Sequence, residues 1–158
     1  MKTSQQMGFS LVELLIVIVV IGIIASMAVP NLIAARRSSH EASAIATTRV
    51  IHSVQATYRS SYSKYGLLAD LQATGMIDST LTAAGGKNGY SFTVTLINGG
   101  TNIFDAQANP TIWGTGVSGT GSRSFAINES GVIYFNNTGA APTFNATNRT
   151  VISGIPIN

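Results

Sequence analysis

The sequence predicts an α+β fold in which one long N-terminal helix packs against a small antiparallel β-sheet. Residues 9–30 are apolar almost throughout, and residues 31–65 are rich in Ala, Ser and Thr without any Gly or Pro, so both stretches favour helix. Gly and Pro are concentrated after residue 65, where strands and loops are expected. A helix followed by strands, rather than alternating with them, is typical of the α+β class.

The apolar segment 9–30 is long enough to cross a membrane. Its residues would extend about 33 Å as a helix, and the hydrocarbon core of a bilayer is about 30 Å thick. Glu13 is its only charged residue, and it lacks the polar face that a helix of a soluble domain carries. Three interpretations stay open: a permanent anchor, a signal peptide cleaved after the small-residue pattern Ser26-Met27-Ala28, and a segment that leaves the membrane to pack against copies of itself.

Glu13 helps to separate these interpretations. An ionised side chain inside a membrane helix costs about 2.5–3.5 kcal/mol, which neither a simple anchor nor a signal peptide requires. Glu13 either lies near the membrane end and reaches water, or it needs a positive partner. Cleavage between Gly8 and Phe9 would create an amino group four residues before Glu13. That amine on one copy could pair with Glu13 on another, which would neutralise both charges and fix the register of the two copies.

The residues from Gly8 to Ile18, GFSLVELLIVI, resemble the N-terminus of type IV prepilins and of the pseudopilins of type II secretion. The similarity covers the short basic leader, the Gly8–Phe9 junction, Glu13, the apolar run, Gly22 and Pro30-Asn31, about a quarter of the chain. It implies a pilin fold, cleavage after Gly8 by a membrane-embedded prepilin peptidase, and N-methylation of Phe9 by the same enzyme. It also implies that subunit addition requires Glu13.

The same resemblance implies an assembly process and its partners. The apolar helix would move from the inner membrane into the core of a helical filament, driven by a cytoplasmic ATPase and a polytopic platform protein. Gly22 and Pro30 bracket a stretch where the helix is easily loosened, because Gly costs about 1 kcal/mol and Pro about 3 kcal/mol inside a helix. A kink alone and local melting in the filament both stay open.

The sequence predicts four segments along the chain. They are a leader peptide at 1–8, a hydrophobic transmembrane and filament-core helix at 9–30, an amphipathic continuation of the helix at 31–65, and a globular antiparallel β domain at 66–158. Lys2 on the cytoplasmic side would leave Arg36 and Arg37 outside, against the positive-inside rule. The short leader and the resemblance favour this orientation nonetheless. The two arginines are then expected just beyond the apolar core, on a solvated face or opposite acids of neighbouring subunits.

Periodicity predicts how the helix and sheet pack. Small, apolar and aromatic residues recur at steps of three or four and predict a stripe facing the sheet: Ala42, Ala46, Val50, Val54, Tyr58, Tyr62 and Tyr65. Leucines are expected to close the link between helix and sheet: Leu67, Leu68, Leu71 and Leu81. The predicted strands are Tyr90–Ile97, Ile103–Ala108, Thr111–Trp113, and a hairpin of Ser124–Asn128 with Gly131–Asn136. Without cysteine, the C-terminal residues must be held by pairing or packing, through Val151, Ile152 and Ile155.

Composition excludes several kinds of chemistry. The chain has no cysteine, so a disulfide, a thiolate zinc site, an iron–sulfur cluster and a thiol nucleophile are excluded. Nine Lys and Arg against six Asp and Glu give a net charge of only +3. Nucleic acid therefore stays open as a partner, but this small net charge gives no indication of it.

No catalytic, cofactor-binding or metal site is predicted. Gly114–Gly119 fits the spacing GxGxxG, but no helix follows and no acid lies about twenty residues further on, so a loop is expected. His40 and His52 are too far apart on the helix to share a metal within one chain. A calcium site from scattered acids stays open: Asp70, Asp78, Asp105 and Glu129. Four Asn-x-Ser/Thr triplets leave glycosylation open, at Asn128, Asn136, Asn145 and Asn148.

These observations predict a structural protein rather than an enzyme. The expected function is that of a subunit in a homo-oligomeric, helical, type IV pilus-like filament. A major pseudopilin of type II secretion is the alternative, and a secreted or membrane-anchored β-rich binding domain is the alternative of another class. The protein is expected in the inner membrane, in contact with lipid, before assembly and in an extracellular or periplasmic filament afterwards.

Overall fold

A computed structural model describes residues 9–157 of the chain. Its main helix, α1, runs from Leu11 to Tyr62, and the chain divides after Ala35 into two compact units. Helix α1 ends slightly before the predicted position because Ser63 adopts a left-handed backbone with φ of 57°. The Ser63 N–H still donates to the Arg59 carbonyl at 2.8 Å, which is a common way for a helix to end.

The unit that begins at Arg36 contains an antiparallel five-stranded sheet with strand order β1-β2-β3-β4-β7. A second, two-stranded sheet pairs β5 with β6. The strands are β1 Tyr90–Ile97, β2 Ile103–Pro110, β3 Ser124–Asn128, β4 Ile133–Asn136, β5 Thr143–Phe144, β6 Val151–Ser153 and β7 Ile155–Pro156. Short helices are α2 at Leu68–Ala73 and 3-10 turns at Ser79–Leu81 and Asn98–Gly100.

Most of the predicted strands are confirmed. Strand β1 has the predicted bounds, and β3 and β4 form the predicted hairpin. The segment Thr111–Trp113 is not a strand, so that prediction was wrong. It belongs to a loop in which the Thr120 N–H donates to the Ile112 carbonyl at 2.8 Å.

The face of α1 that packs on the sheet differs from the predicted stripe. Its buried residues are Glu41, Ala44, Thr47, Thr48, Ile51, Gln55 and Tyr58. Tyr58 and Tyr65 are buried as predicted and Val54 is half-buried. The prediction was wrong at four exposed positions, Ala42, Ala46, Val50 and Tyr62. Polar side chains take the buried positions because they find hydrogen-bond partners there, as Thr48 Oγ1 does with the Ala44 carbonyl at 2.8 Å.

Gln55 fixes the chain where it leaves the helix. Its buried side-chain amide accepts from the Gly66 N–H at 3.0 Å and donates to the Gly66 carbonyl at 2.6 Å. Beyond it, Leu68, Leu71 and Leu81 are buried as predicted. Leu67 is exposed instead, because it precedes α2 and contributes its backbone N–H to the Asp70 carboxylate at 2.8 Å.

Glu41 attaches α1 to the start of β3. Its buried carboxylate accepts from the Ser122 N–H at 2.8 Å, the Ser122 hydroxyl at 2.9 Å and Arg123 Nε at 2.7 Å. Arg123 adjoins β3, and its guanidinium lies over the ring of Phe125. The helix is therefore joined to the sheet by a charge-assisted contact as well as by apolar packing.

The C-terminal residues are held chiefly by strand pairing. Strand β6 pairs with β5 and β7 pairs with β4. Val151 is half-buried, but Ile152 and Ile155 are exposed, so their predicted role in packing was wrong. Ile157 packs against the core instead, and its N–H donates to the Ile133 carbonyl at 2.8 Å.

Candidate functional site

The start of α1 carries the residues predicted to be processed and used in assembly. Gly8 and the leader lie outside the described residues, whereas Phe9 is exposed and precedes the helix. The Leu14 N–H donates to the Ser10 carbonyl at 3.2 Å, so the helical hydrogen bonds begin one residue after Phe9. Cleavage before Phe9 would thus leave the helix intact.

Glu13 lies in the first turn of α1 and is exposed. A carboxylate at this position is favoured by the positive end of the helix dipole. No ion pair within residues 9–157 involves Glu13. Its charge is thus open to a partner from another molecule.

The first half of α1 presents an uninterrupted apolar surface. Every residue from Phe9 to Leu32 is exposed, and the large apolar side chains among them expose between 48% and 83% of their surface. The helix is long and apolar enough to cross a membrane, by length and composition. A continuous apolar surface of this size must be covered by lipid or by protein.

Gly22 and Pro30 lie within a continuous helix. A Cβ added at Gly22 would meet no atom within 4 Å, so nothing in the single chain requires glycine there. Pro30 has no N–H, which deprives the Ser26 carbonyl of its helical partner. The Ser26 hydroxyl donates to the Ile23 carbonyl at 2.7 Å.

The predicted basic residues that follow the apolar segment contact a loop of the sheet. Arg37 Nη1 donates to the Gly114 carbonyl at 3.4 Å, and Nδ1 of His40 lies 3.2 Å from the Thr120 carbonyl. Arg36 is exposed and lines a cavity of about 220 Å³ with His40 and the loop. Residues 114–119 form a loop, as predicted, and the element that follows them is strand β3 rather than a helix.

The two histidines are not brought together. His52 lies near Phe104, with 6.2 Å between the ring centroids, whereas His40 contacts Thr120. Within residues 9–157, no group of three or more potential metal ligands is found.

Asp105 and Glu129 do converge, but on an arginine that sequence reasoning missed. Arg149 Nε donates to Glu129 at 2.6 Å, and Nη2 donates to Asp105, to Glu129 at 2.9 Å and to the Phe104 carbonyl at 3.1 Å. Burial disfavours this charge, but the hydrogen bonds to Glu129 and Asp105 raise the pKa of Arg149 above its usual value. We call these three residues the Arg149 clamp. It fastens the segment between β5 and β6 to the main sheet.

The asparagines of the Asn-x-Ser/Thr triplets mostly stabilise turns. Asn128 is 3% exposed, and its Oδ1 accepts from the N–H and the hydroxyl of Ser130. The Oδ1 atom of Asn145 accepts from the Thr147 N–H at 2.8 Å, and that of Asn148 accepts from the Thr150 N–H at 3.1 Å. Their spacing therefore has a structural explanation as Asx turns.

A long N-terminal helix packed on a small antiparallel sheet is an α+β, pilin-like arrangement. Residues 4–29 match the prokaryotic N-terminal methylation motif, the class III signal peptide of type IV pilins and pseudopilins. The match includes Phe9, Glu13 and Gly22 and stops before the sheet. No curated protein sequence matches the chain. The motif supports a type IV pilin-like or pseudopilin protein, a structural class of protein and not a known class of enzyme.

Proposed function

We propose that the protein is a structural subunit of a type IV pilus-like filament, processed by prepilin peptidase after Gly8 and assembled through the apolar part of α1. The observation that carries this proposal is the exposed apolar surface of residues 9–30, which overlaps the methylation motif matched at residues 4–29. We retain the four predicted segments, with the leader removed and residues 9–30 forming the filament core.

Transfer of the helix from lipid to a filament is physically reasonable. Lipid tails and other copies of the helix are similarly apolar, so the exchange changes little hydrophobic free energy. Packing between helices must therefore be what makes the filament more favourable than the membrane. Glu13 supplies register, because an unpaired charge in the apolar core is costly whereas one paired with the Phe9 amine of a neighbour is not. Loosening between Gly22 and Pro30 would let the core adapt as subunits are added.

The partners follow from this proposal. Prepilin peptidase would cut the chain and N-methylate Phe9, and a platform protein with an assembly ATPase would add subunits from the inner membrane. The filament would be extracellular for a pilus and periplasmic for a pseudopilus. A major pseudopilin is the second candidate, because the matched motif is the signal peptide of both classes.

The mature N-terminus tests processing directly. We expect intact mass and N-terminal analysis of the protein from its native host to give N-methylated Phe9. An N-terminus at Val29 would remove most of the apolar surface and make this a secreted soluble domain. An uncut chain would instead make it a membrane-anchored protein.

Substitution of Glu13 tests assembly. Glu13→Ala should be processed normally but should lower filament yield by more than about tenfold, since a loss of only 1.4 kcal/mol in subunit addition gives that factor. Glu13→Asp retains the charge and should assemble better than Glu13→Ala. Filament yield is measured by shearing and immunoblotting against total subunit. Normal yield from Glu13→Ala would contradict the pairing role.

A further inference from the structure

Strand β1 lies at one edge of the five-stranded sheet, and its outer side has no neighbouring strand. The sheet order places β2 on its inner side, and within residues 9–157 no further strand pairs with β1. An edge strand offers a row of backbone N–H and C=O groups to any extended chain that reaches it. This edge lies wholly within the unit that begins at Arg36.

The hydrogen bonds around β1 show which of its backbone groups face outward. The Thr111 N–H donates to the Gly89 carbonyl at 2.9 Å, so the hydrogen-bonded pairs with β2 fall on the odd-numbered residues of β1. On the opposite side of the strand, the N–H and the carbonyl of Tyr90 both bond to Lys87. The N–H and carbonyl groups of the following even-numbered residues therefore point to the open edge: Phe92, Val94 and Leu96.

Strand β1 carries none of the features that usually protect a sheet edge. Natural edge strands are blunted by short length, proline, charged residues or bulges. The opposite edge of the sheet, β7, has two residues, and one of them is Pro156. Strand β1 has eight residues, none of them charged or proline, and its register with β2 is unbroken. Its edge is thus suited to pairing with another strand.

We propose that β1 pairs with β1 of a second copy of this chain, antiparallel and with Val94 opposite Val94 of that copy, so that the two sheets become continuous. The N–H and carbonyl of Val94 would then bond to the same groups of the second Val94. Phe92 of each copy would exchange hydrogen bonds with Leu96 of the other. Every outward backbone group of these three residues thus gains a partner.

Both ends of β1 fit this pairing. Tyr90 would lie opposite position 98 of the second copy, but the place beside Tyr90 is already taken by Lys87. Strand β1 ends one residue earlier, at Ile97, and Asn98 turns the chain away with a left-handed φ of 52°. The pairing is therefore bounded at residues 91–97 in both copies by features of the chain itself.

The side chains of β1 favour a second copy over an unrelated peptide. Thr93 and Thr95 are both exposed on the outer face, and the pairing places Thr93 of each copy opposite Thr95 of the other. Threonine pairs across antiparallel strands are favourable, and β1 has no charge that would repel its own copy.

This contact is separate from the contacts of the proposed filament. It is two-fold, so each copy uses the same patch, whereas a helical filament is built by head-to-tail contacts that repeat along a screw axis. The inference therefore goes beyond the proposed function and does not depend on it.

Paired cysteine substitutions test the register, because the chain has no cysteine of its own. The full chain is prepared in detergent as two reduced variants, Thr93→Cys and Thr95→Cys, which are mixed and oxidised with copper phenanthroline. The pairing brings position 93 of one copy and position 95 of the other to a Cα separation of about 4.5 Å, within the range of a disulfide. Identical positions lie about 7–8 Å apart. We expect the mixture to give at least about fivefold more disulfide-linked dimer than either variant alone.

A mixture of Thr93→Cys with Thr143→Cys is the matched control, since Thr143 is an exposed threonine on β5, in the other sheet. It should give no more dimer than Thr93→Cys alone. Equal dimer from the control mixture would indicate random collision in the micelle and would overturn the pairing. Linking of Thr93→Cys alone as efficiently as the mixture would overturn the antiparallel register, and no dimer in any mixture would overturn the contact.

Hydrogen exchange tests the same contact in the unsubstituted chain. The amides of Phe92, Val94 and Leu96 should exchange at least about tenfold more slowly at high protein concentration than after dilution in the same excess of detergent, because pairing protects them. The amides of Thr93 and Thr95 bond to β2 and should be protected at both concentrations. Rapid exchange of the three outward amides at every concentration would overturn the pairing. Neither experiment requires processing or filaments, so its failure would leave the proposed function standing.

Discussion

Glu41 shows how a buried charge is kept ionised in this fold. Burial acts to raise its pKa, but hydrogen bonds from the Ser122 backbone, Arg123 and the Ser122 hydroxyl outweigh burial and lower the pKa below its ordinary value of 4.5. A lowered pKa in the folded state means that the ionised carboxylate stabilises the protein. That stabilisation is complete above the unfolded-state pKa and is lost as the pH falls through the folded-state pKa.

Acidification should therefore destabilise the folded protein in part through Glu41. We expect Glu41→Gln to lower the free energy of unfolding by about 1.5–3 kcal/mol at neutral pH, the range for hydrogen bonds to charged groups. The variant should also lose less stability than the wild type between about pH 5 and pH 3. Thermal unfolding followed by circular dichroism measures both. If the free energy of unfolding falls in parallel for the two proteins as the pH is lowered, then ionisation of Glu41 does not contribute to the pH dependence of stability.

The Arg149 clamp makes a second prediction for a single residue. Arg149→Met would leave the carboxylates of Asp105 and Glu129 without their cation in a mostly buried site. We expect the free energy of unfolding to fall by about 3–5 kcal/mol, the range for removing one partner of a buried ion pair. Two such carboxylates also provide oxygen ligands for a hard cation. We expect millimolar calcium to recover part of the lost melting temperature in the variant and to leave the wild type unchanged. A variant as stable as the wild type would refute the clamp.

At the scale of elements, Gly22 is a position where the single chain does not require glycine and the proposed filament would. Alanine fits at this position without contact and favours helix by about 1 kcal/mol. Gly22→Ala should therefore leave the melting temperature of the subunit unchanged while reducing filament yield, if loosening of the helix is required. Ala25→Gly, a nearby change in the opposite direction, is the control for general sensitivity. Normal filaments from Gly22→Ala would remove Gly22 from the melting hypothesis.

The sequence predicted the elements well because their signals are local. Alternation identified β1, and a short turn between two alternating runs identified the β3–β4 hairpin. The buried face of α1 was missed because Gln55 is buried by its pairing with Gly66, eleven residues away, and hydrophobic periodicity carries no information on such pairing. The Arg149 clamp was missed for the same reason, since Arg149 lies 44 residues from Asp105 and 20 from Glu129.

The residues proposed for processing and assembly were predicted from a different kind of signal. Phe9, Glu13 and Gly22 stand out because the sequence around them resembles the N-terminus of prepilins. Glu13 stands out further because an ionised side chain in an apolar segment costs free energy on membrane insertion. The loop at residues 111–121 has no such signal, because its contacts with Arg37 and His40 depend on how the sheet folds back on the helix. Exposed valine and tryptophan in a loop are unremarkable until their neighbours are known.

At the scale of the whole molecule, the two units have different requirements. Every residue of the hydrophobic core that the structure describes lies after Arg36, whereas every residue from Phe9 to Leu32 is exposed. The unit from Arg36 thus buries its own core, whereas the preceding helix needs lipid or other copies to cover it.

A fragment of residues 36–158 should accordingly fold without detergent. We expect it to be monomeric by light scattering and to unfold cooperatively, with a melting temperature close to that of the full chain in detergent, because no core residue is removed. The full chain should require detergent or lipid to stay monomeric. A fragment that aggregates or lacks near-ultraviolet circular dichroism would show that the first unit contributes to the core.

The Arg149 clamp also determines what this protein needs in order to reach its folded state. The C-terminal region is closed by the ion pairs of Arg149 and by strand pairing, in a chain without cysteine. This closure requires no oxidant and no thiol–disulfide exchange. Folding can then be complete as soon as the chain reaches its compartment, whatever the redox state there. A reducing agent that would open a disulfide-closed subunit should leave this one closed.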